Sequence, residues 1–204
     1  LIGTSIDLSG AGTSNTRPVV RFTVASGKLD TITRIVGERL VALPGHVNKP
    51  GMRRFGFVPY SDADAVVALT TGGYVIARAS TGRVEWHDAS GRRTFETTFP
   101  GTRRPIADSI LRRMEPALRA HVPTTQAVFE GFGAIRSTDN RVWIRSNSGE
   151  GRSQVWYGFA QGQRTALAVQ MPRGTRIVGA SEPFLFVHRR SDDGLAQIEV
   201  HRLP

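Results

Sequence analysis

Apolar and polar positions alternate in short runs along this chain, and one such run appears three times. It reads Val20-Arg21-Phe22-Thr23-Val24-Ala25-Ser26-Gly27-Lys28, then Val84-Glu85-Trp86-His87-Asp88-Ala89-Ser90-Gly91-Arg92, then Val155-Trp156-Tyr157-Gly158-Phe159-Ala160-Gln161-Gly162-Gln163. Strand side chains alternate with period two, so a valine and an aromatic two places on share one side. A glycine seven places after each valine permits the positive φ of a tight hairpin. Each run therefore predicts a strand, a turn and a returning strand. Val20, Phe22, Val84, Trp86, Val155 and Tyr157 are the residues expected between sheets.

The rest of the chain fits the same pattern. Leu1 to Leu8 reads as a strand, and Pro18 to Val24 with Leu29 to Val36 as the first hairpin. Pro44, Gly45, Asn48, Pro50 and Gly51 give residues 37–51 the composition of a loop. Strands are expected at Phe55–Val58, Ala65–Leu69, Tyr74–Ala77 and on to Phe99. Beyond Pro123 they resume at Gly131–Ser137 and Arg141–Ser146, then through the third hairpin to Thr175–Gly179, Phe184–Arg189 and Gln197–Leu203. Between the two groups Ile106, Ile110, Met114 and Leu118 are spaced by four, an apolar stripe on a helix. Pro116 ends that helix, so it runs from about Ile106 to Glu115, with a short turn after it. The fold class is all-β, with repetition at long spacing that marks stacked or radial sheets.

The hairpin written Val-x-aromatic-x-Asp-x-x-Gly-Arg, complete in Val84 to Arg92, resembles the blade hairpins of bacterial six-bladed β-propellers of the NHL and TolB-like kind. Asp139 to Arg145 looks like the second strand of such a blade. Phe184 to Arg189 with Ile198 to Leu203 looks like a closing blade. The resemblance implies a partial or open β-propeller of about three to four antiparallel blades with one short helical insertion. The blades fall at about 1–37, 52–100, 124–172 and 173–204, and the insertion at about 103–122. The Asp of the motif is Val24 in the first copy and Phe159 in the third. The last blade ends after about three strands, and Leu1 to Leu8 is the one candidate donor for its missing strand. Either further blades lie upstream, or the chain is an open relative whose edges a partner covers.

Charge adds one further feature. The 204 residues carry a net charge of +10, almost wholly as arginine, since Lys28 and Lys49 are the two lysines. Arginine codon usage in a GC-rich genome is one reading of that excess, and docking on an anionic surface is the other. Arg103, Arg104, Arg112 and Arg113 cluster about the expected helix, and Arg189 with Arg190 adds a second pair. These six are the candidate contacts to an anionic partner. A solvated face is their alternative reading.

Chemistry beyond charge is scarce. The chain has no cysteine, which excludes disulfides, thiolate zinc sites and thiol catalysis. His46, His87, His121, His188 and His201 lack the close spacing of a zinc helix motif. Asp62-Ala63-Asp64 and Asp192-Asp193 are acidic turns without the remaining ligands of a calcium loop. No Gly-x-Ser-x-Gly elbow or phosphate-binding Gly-Lys-Ser/Thr loop occurs. The expected function is thus a non-enzymatic propeller-like scaffold with no cofactor, metal or catalytic residue. The resemblance implies an extracytoplasmic (periplasmic) setting, peripheral to the membrane, and the charge suggests docking there on an acidic protein or membrane-complex surface. An extrinsic subunit of a respiratory or photosynthetic complex is one form of that reading, and a peripheral contact with anionic lipid another. The alternative is a propeller-type metal-dependent hydrolase or lyase, whose ligands would converge from different blades. Nucleic acid is not the expected partner, because the aromatics read as interior.

Overall fold

The computed structural model describes residues 2–4, 16–46, 53–129, 135–138, 141–147, 153–191 and 193–203. It is all-β apart from one helical excursion. A first sheet holds β1 (Ile2–Thr4), β2 (Thr16–Thr23) and β3 (Lys28–Val36). A separate hairpin, β4 (Leu40–His46) with β5 (Arg53–Phe57), follows it. The second sheet is a four-stranded meander of β6 (Ala65–Ala68), β7 (Tyr74–Arg78), β8 (Arg83–His87) and β9 (Arg93–Thr98). The excursion comes next: β10 (Arg104–Pro105), α1 (Asp108–Arg113), α2 (Pro116–Arg119) and β11 (Thr125–Gln126). The third sheet repeats the four-stranded meander with β12 (Ile135–Ser137), β13 (Val142–Arg145), β14 (Ser153–Phe159) and β15 (Leu167–Pro172). The fourth has three strands, β16 (Arg176–Ser181), β17 (Phe184–Arg190) and β18 (Ala196–Arg202). Every strand pairing within these sheets is antiparallel.

The four sheets stack in chain order, and the alternation of β7 and β13 shows how. Val75 and Ala77 join Val84, Trp86, Val142, Ile144 and Phe159 in the core between the second and third sheets. Tyr74 and Ile76, on the other face of β7, pack with Val19 and Ile35 of the first sheet. Trp143, on the other face of β13, joins Trp156, Met171, Ile177, Leu185 and Val187 between the third and fourth. Fully burying each such side chain stabilises the fold by roughly 1.5–3 kcal/mol. Both β1 and β12 come close to β6, so the opening strands of successive sheets gather on one side of the stack.

Each of the three repeated runs is the last hairpin of its sheet, with its glycine at positive φ: Gly27 at 64°, Gly91 at 92° and Gly162 at 83°. The expected burial is met in part. Val84 and Trp86 are buried, and Val20, Val155 and Tyr157 are half-buried. Phe22 is 38% exposed, contrary to expectation. The reason is register. Val20 and Phe22 lie on the face of β2 opposite Val19, which is the residue that meets the second sheet. A strand offset by one residue turns every side chain to the other face.

Four further expectations are corrected. Residues 40–46 form a strand where a loop is expected, because Val41 and Leu43 bury against Val58 and the excursion despite Pro44 and Gly45. The strand at Phe55 pairs with β4 and not with the second sheet. Of the expected donor Leu1 to Leu8, Ile2–Thr4 pairs with β2 in its own sheet and the rest lies outside the described residues, so among those the fourth sheet keeps three strands. The helix is shorter than its stripe. Met114 and Glu115 are extended, at ψ 150° and 131°, as a residue before proline prefers. Pro116 then opens α2 at a position where its missing N–H costs nothing. Ile106 is buried ahead of α1, while Leu118 packs against Val41 and Leu43. The expected strand from Gly131 is described only from Ile135, and the Asp139–Asn140 turn lies outside the described residues.

Candidate functional site

The pleat separates neighbouring arginines. Arg103 donates to Asp62 Oδ1 at 2.8 Å and to the carbonyls of Ser80 and Ala79 at 3.2 and 3.4 Å, so it ties the excursion to the second sheet. Arg104, the next residue, lines a groove. Arg112 and Arg113 are exposed in the last turn of α1, where cations complement the helix dipole. Arg189 pairs with Glu199 at 3.4 Å, while Arg190 is exposed on the opposite face of β17. The six candidates thus divide: Arg103 and Arg189 serve as internal ties, Arg104 lines the groove, and Arg112, Arg113 and Arg190 present charge to solvent.

The groove has a volume of about 460 Å³. One wall is Tyr60, Arg104, Pro105, Ile110 and Gln126, from the excursion and the segment after β5. The other is Arg145, Ser146, Asn147, Ser153 and Gln154, with Arg173 and Gly174 from the turn after β15. Its polar wall is fixed from behind. Gln154, only 6% exposed, donates through Nε2 to the Thr175 carbonyl at 2.6 Å. Asn147 Nδ2 donates to the Ala127 carbonyl at 3.0 Å, and Ser146 Oγ to that of Val128 at 3.4 Å. No carboxylate stands among the described lining residues. Burial, and after it the like charge of Arg176, lowers the pKa of the Arg145 guanidinium, which sits 5.9 Å above the Trp156 ring. Tyr60 holds a φ of 59°, a conformation costing a non-glycine residue about 1–3 kcal/mol and concentrated at functional sites.

Charge also converges between the first two sheets. Asp64 accepts from the Val36 and Ala79 N–H groups at 3.0 and 3.1 Å, and from Arg78 at 2.9 Å. Arg78 also donates to Glu85 at 3.1 Å, and Glu85 lies 3.4 Å from His87 Nε2. The His87 ring stacks on Tyr74 with centroids 4.9 Å apart. The Arg78 pKa is raised: burial works against its charge, but the hydrogen bond to Asp64 and the charge of Glu85 outweigh it. This assembly satisfies itself and acts as a strut. Asp62 and Asp64 of the first acidic turn are engaged by Arg103 and Arg78, Asp62 at the surface and Asp64 buried.

Trp86, Trp143 and Trp156 pack between sheets, as expected. Among the described residues no three His, Asp or Glu side chains are gathered as metal ligands. No described helix is long and apolar enough to cross a membrane. The groove escaped the sequence reading because its arginines lie some forty to seventy residues apart, from Arg104 to Arg145 and Arg173. Only the unusual density of arginine hinted at it. In comparisons with protein-family models, curated proteins and solved structures, nothing matches this chain.

Proposed function

We propose that the chain is a non-enzymatic, propeller-type interaction subunit that docks on the acidic surface of a protein partner outside the cytoplasm. An extrinsic subunit of a membrane energy-transducing complex is the specific form of this reading. Successive antiparallel meanders with their opening strands gathered on one side support blades.

The observation that carries the docking is the outward face of the fourth sheet. The second and third sheets are covered on both faces, whereas here Leu185 and Val187 point inward. On the other face, among the described residues, Phe186 and His188 are half-buried while Phe184, Ile198 and Val200 are exposed. Cross-strand register places Phe184 beside Arg202, Phe186 beside Val200 and His188 beside Ile198. Ile198 is 60% exposed, and Phe184 and Val200 are exposed as well. Arg190 and Arg202 stand at the margins of this apolar strip, and no acid occurs at these positions of the two strands. An apolar centre with a guanidinium rim fits a surface with an apolar patch and flanking carboxylates, which arginine bonds in bidentate fashion.

The test places a photo-crosslinking residue at Ile198 in the cells that make the protein. One protein adduct is expected, lost with Arg190→Glu and weakened by salt, since the screening length falls from about 10 Å at 0.1 M to about 3 Å at 1 M. An adduct with lipid, with a second copy or with nothing overturns the docking.

A further inference from the structure

We infer that the open edge of β18 takes an extended segment of the docking partner as a fourth strand, antiparallel to β18, with an acid beside Arg202. This rests on the docking reading above and states how that partner is held.

The hydrogen bonds at the two ends of the β17–β18 pair show which backbone groups are free. The Ser191 N–H donates to the Leu195 carbonyl at 2.9 Å, and the Leu203 N–H to that of Pro183 at 2.6 Å. The register between them runs without a shift, so Gln197, Glu199 and His201 also bond to β17. Ala196, Ile198, Val200 and Arg202 therefore turn their N–H and C=O groups away from β17. Among the described residues nothing pairs with them. In the second and third sheets the same place, beside the third strand, is filled by β9 and β15. The outermost strands elsewhere carry the usual protection of an edge: β3 and β9 shift register against their neighbours, and β15 ends in Pro172. β18 has neither a shift nor a proline over its seven residues.

The surroundings describe the strand that fits. Leu167 and Val169 of β15 pack toward the fourth sheet yet stay half-buried. A strand beside β18 would stand opposite β15 and cover them with its inner side chains. Its outer side chains would widen the apolar strip of Ile198 and Val200, which aliphatic residues match, and end beside Arg202. Arg189 is paired with Glu199, whereas Arg190 and Arg202 form no ion pair among the described residues, so an acid is favoured there. A second copy would bring the same charge of +10 to this edge, and repulsion disfavours that pairing.

The probe is the acetylated, amidated peptide Glu-Thr-Val-Thr-Ile-Thr-Val, which in this register sets Glu beside Arg202, Val beside Val200 and Ile beside Ile198. Amide exchange is followed by NMR on the full chain. In the chain alone the Ile198 and Val200 amides are expected to exchange rapidly, and those of Glu199 and His201 slowly. The peptide is expected to bind saturably and to slow Ile198 and Val200. Val200→Pro removes one outward N–H, a change that an edge strand tolerates, and should weaken binding about tenfold or more. Val200→Thr keeps that N–H and should keep most of the affinity. Ile198→Pro repeats the test at the other outward position, and slow exchange of the Leu185 and Val187 amides verifies the fold. Slow exchange of Ile198 and Val200 in the chain alone overturns the inference, because this chain or a second copy would then fill the edge. So does a peptide that fails to slow them, or equal weakening by the proline and threonine variants. A partner cross-link at Ile198 that survives Val200→Pro overturns strand addition alone, whereas no cross-link at all overturns the docking itself.

Discussion

The hairpin β8–β9 of the second sheet and the hairpin β14–β15 of the third carry the same run of residues, yet they face opposite ways. Counted from their glycines, Trp86 corresponds to Tyr157, and both point into the one core that the two sheets share. Their back faces therefore answer to different neighbours. Glu85 and His87, behind Trp86, meet the first sheet as part of a charged strut with Arg78 and Asp64. Trp156 and Gly158, at the corresponding positions, meet the fourth sheet with Trp143 and Met171. The glycine sets the turn locally. Which face becomes core depends on register, and in β8–β9 the register shifts between Trp86 and His87. Repeated sequence thus yields repeated hairpins without repeated environments.

The apolar back face is expected to be the costlier to damage. Trp143→Ala removes a fully buried ring, a loss of about 3–5 kcal/mol in denaturant unfolding. A loss below 1 kcal/mol would show that the third and fourth sheets do not pack as described. On the charged side Asp64→Ala leaves Arg78 and two backbone N–H groups without their shared acceptor, whose side chain is 1% exposed. Breaking such a pair costs about 3 kcal/mol, and Asp64→Asn should recover part of it. Equal losses for the two variants would mean that the charge accounts for the whole effect, and full recovery by Asp64→Asn that it counts for nothing there.

Gly158→Ala tests the close approach on the apolar side. A methyl group at that position would lie 2.7–2.9 Å from the Trp143 ring, and overpacking of this kind costs about 1–3 kcal/mol. Unchanged stability would mean that the ring can move away. Tyr74→Phe tests the other side. The Tyr74 hydroxyl is buried with no hydrogen-bond partner, so its removal should be neutral or stabilise by up to about 1 kcal/mol. Burial raises the Tyr74 pKa above its ordinary value of 10.0. The folded state therefore holds this proton more tightly than the unfolded chain does. Stability is complete below about pH 10, falls as pH rises beyond it, and should fall less in the phenylalanine variant. Identical alkaline profiles would remove Tyr74 from the explanation.

The smallest effect belongs to the β8–β9 turn. The Ser90 hydroxyl first, then backbone and side-chain donors of Ser90 and Arg92, lower the pKa of Asp88. Its contribution is present above the usual carboxylate pKa and disappears as pH falls through the lowered one. Asp88→Asn should slightly flatten the acid limb of a stability profile, and an unchanged limb would show a turn held by its glycine alone.

The elements that were legible in the sequence are those decided within a few residues. The hairpin at Gly91 is an example, because a positive φ and flanking alternation suffice to define it. The helix at Ile110 was legible in place but not in length, since extended Met114 and Glu115 cut the stripe ahead of Pro116. The sequence of β4 has the composition of a loop because Pro44 and Gly45 outweigh Val41 and Leu43, whose burial depends on Leu118 and Val122 far along the chain. The arginines of the expected docking cluster could be listed but not sorted. Arg103 turns to Asp62 and Arg104 to the groove, as adjacent positions of an extended chain must.

From the sequence follow the all-β class, the glycine turns at Gly27, Gly91 and Gly162 and the excess of arginine, each a matter of local backbone preference or of composition. Tertiary structure alone decided which face of each strand is core, that residues 40–46 pair with 53–57, and that Arg104, Arg145 and Arg173 border one space. The physical reason is that burial and long-range pairing depend on residues distant in the chain. A period-two strand offers two equivalent faces, and only its packed neighbours choose between them.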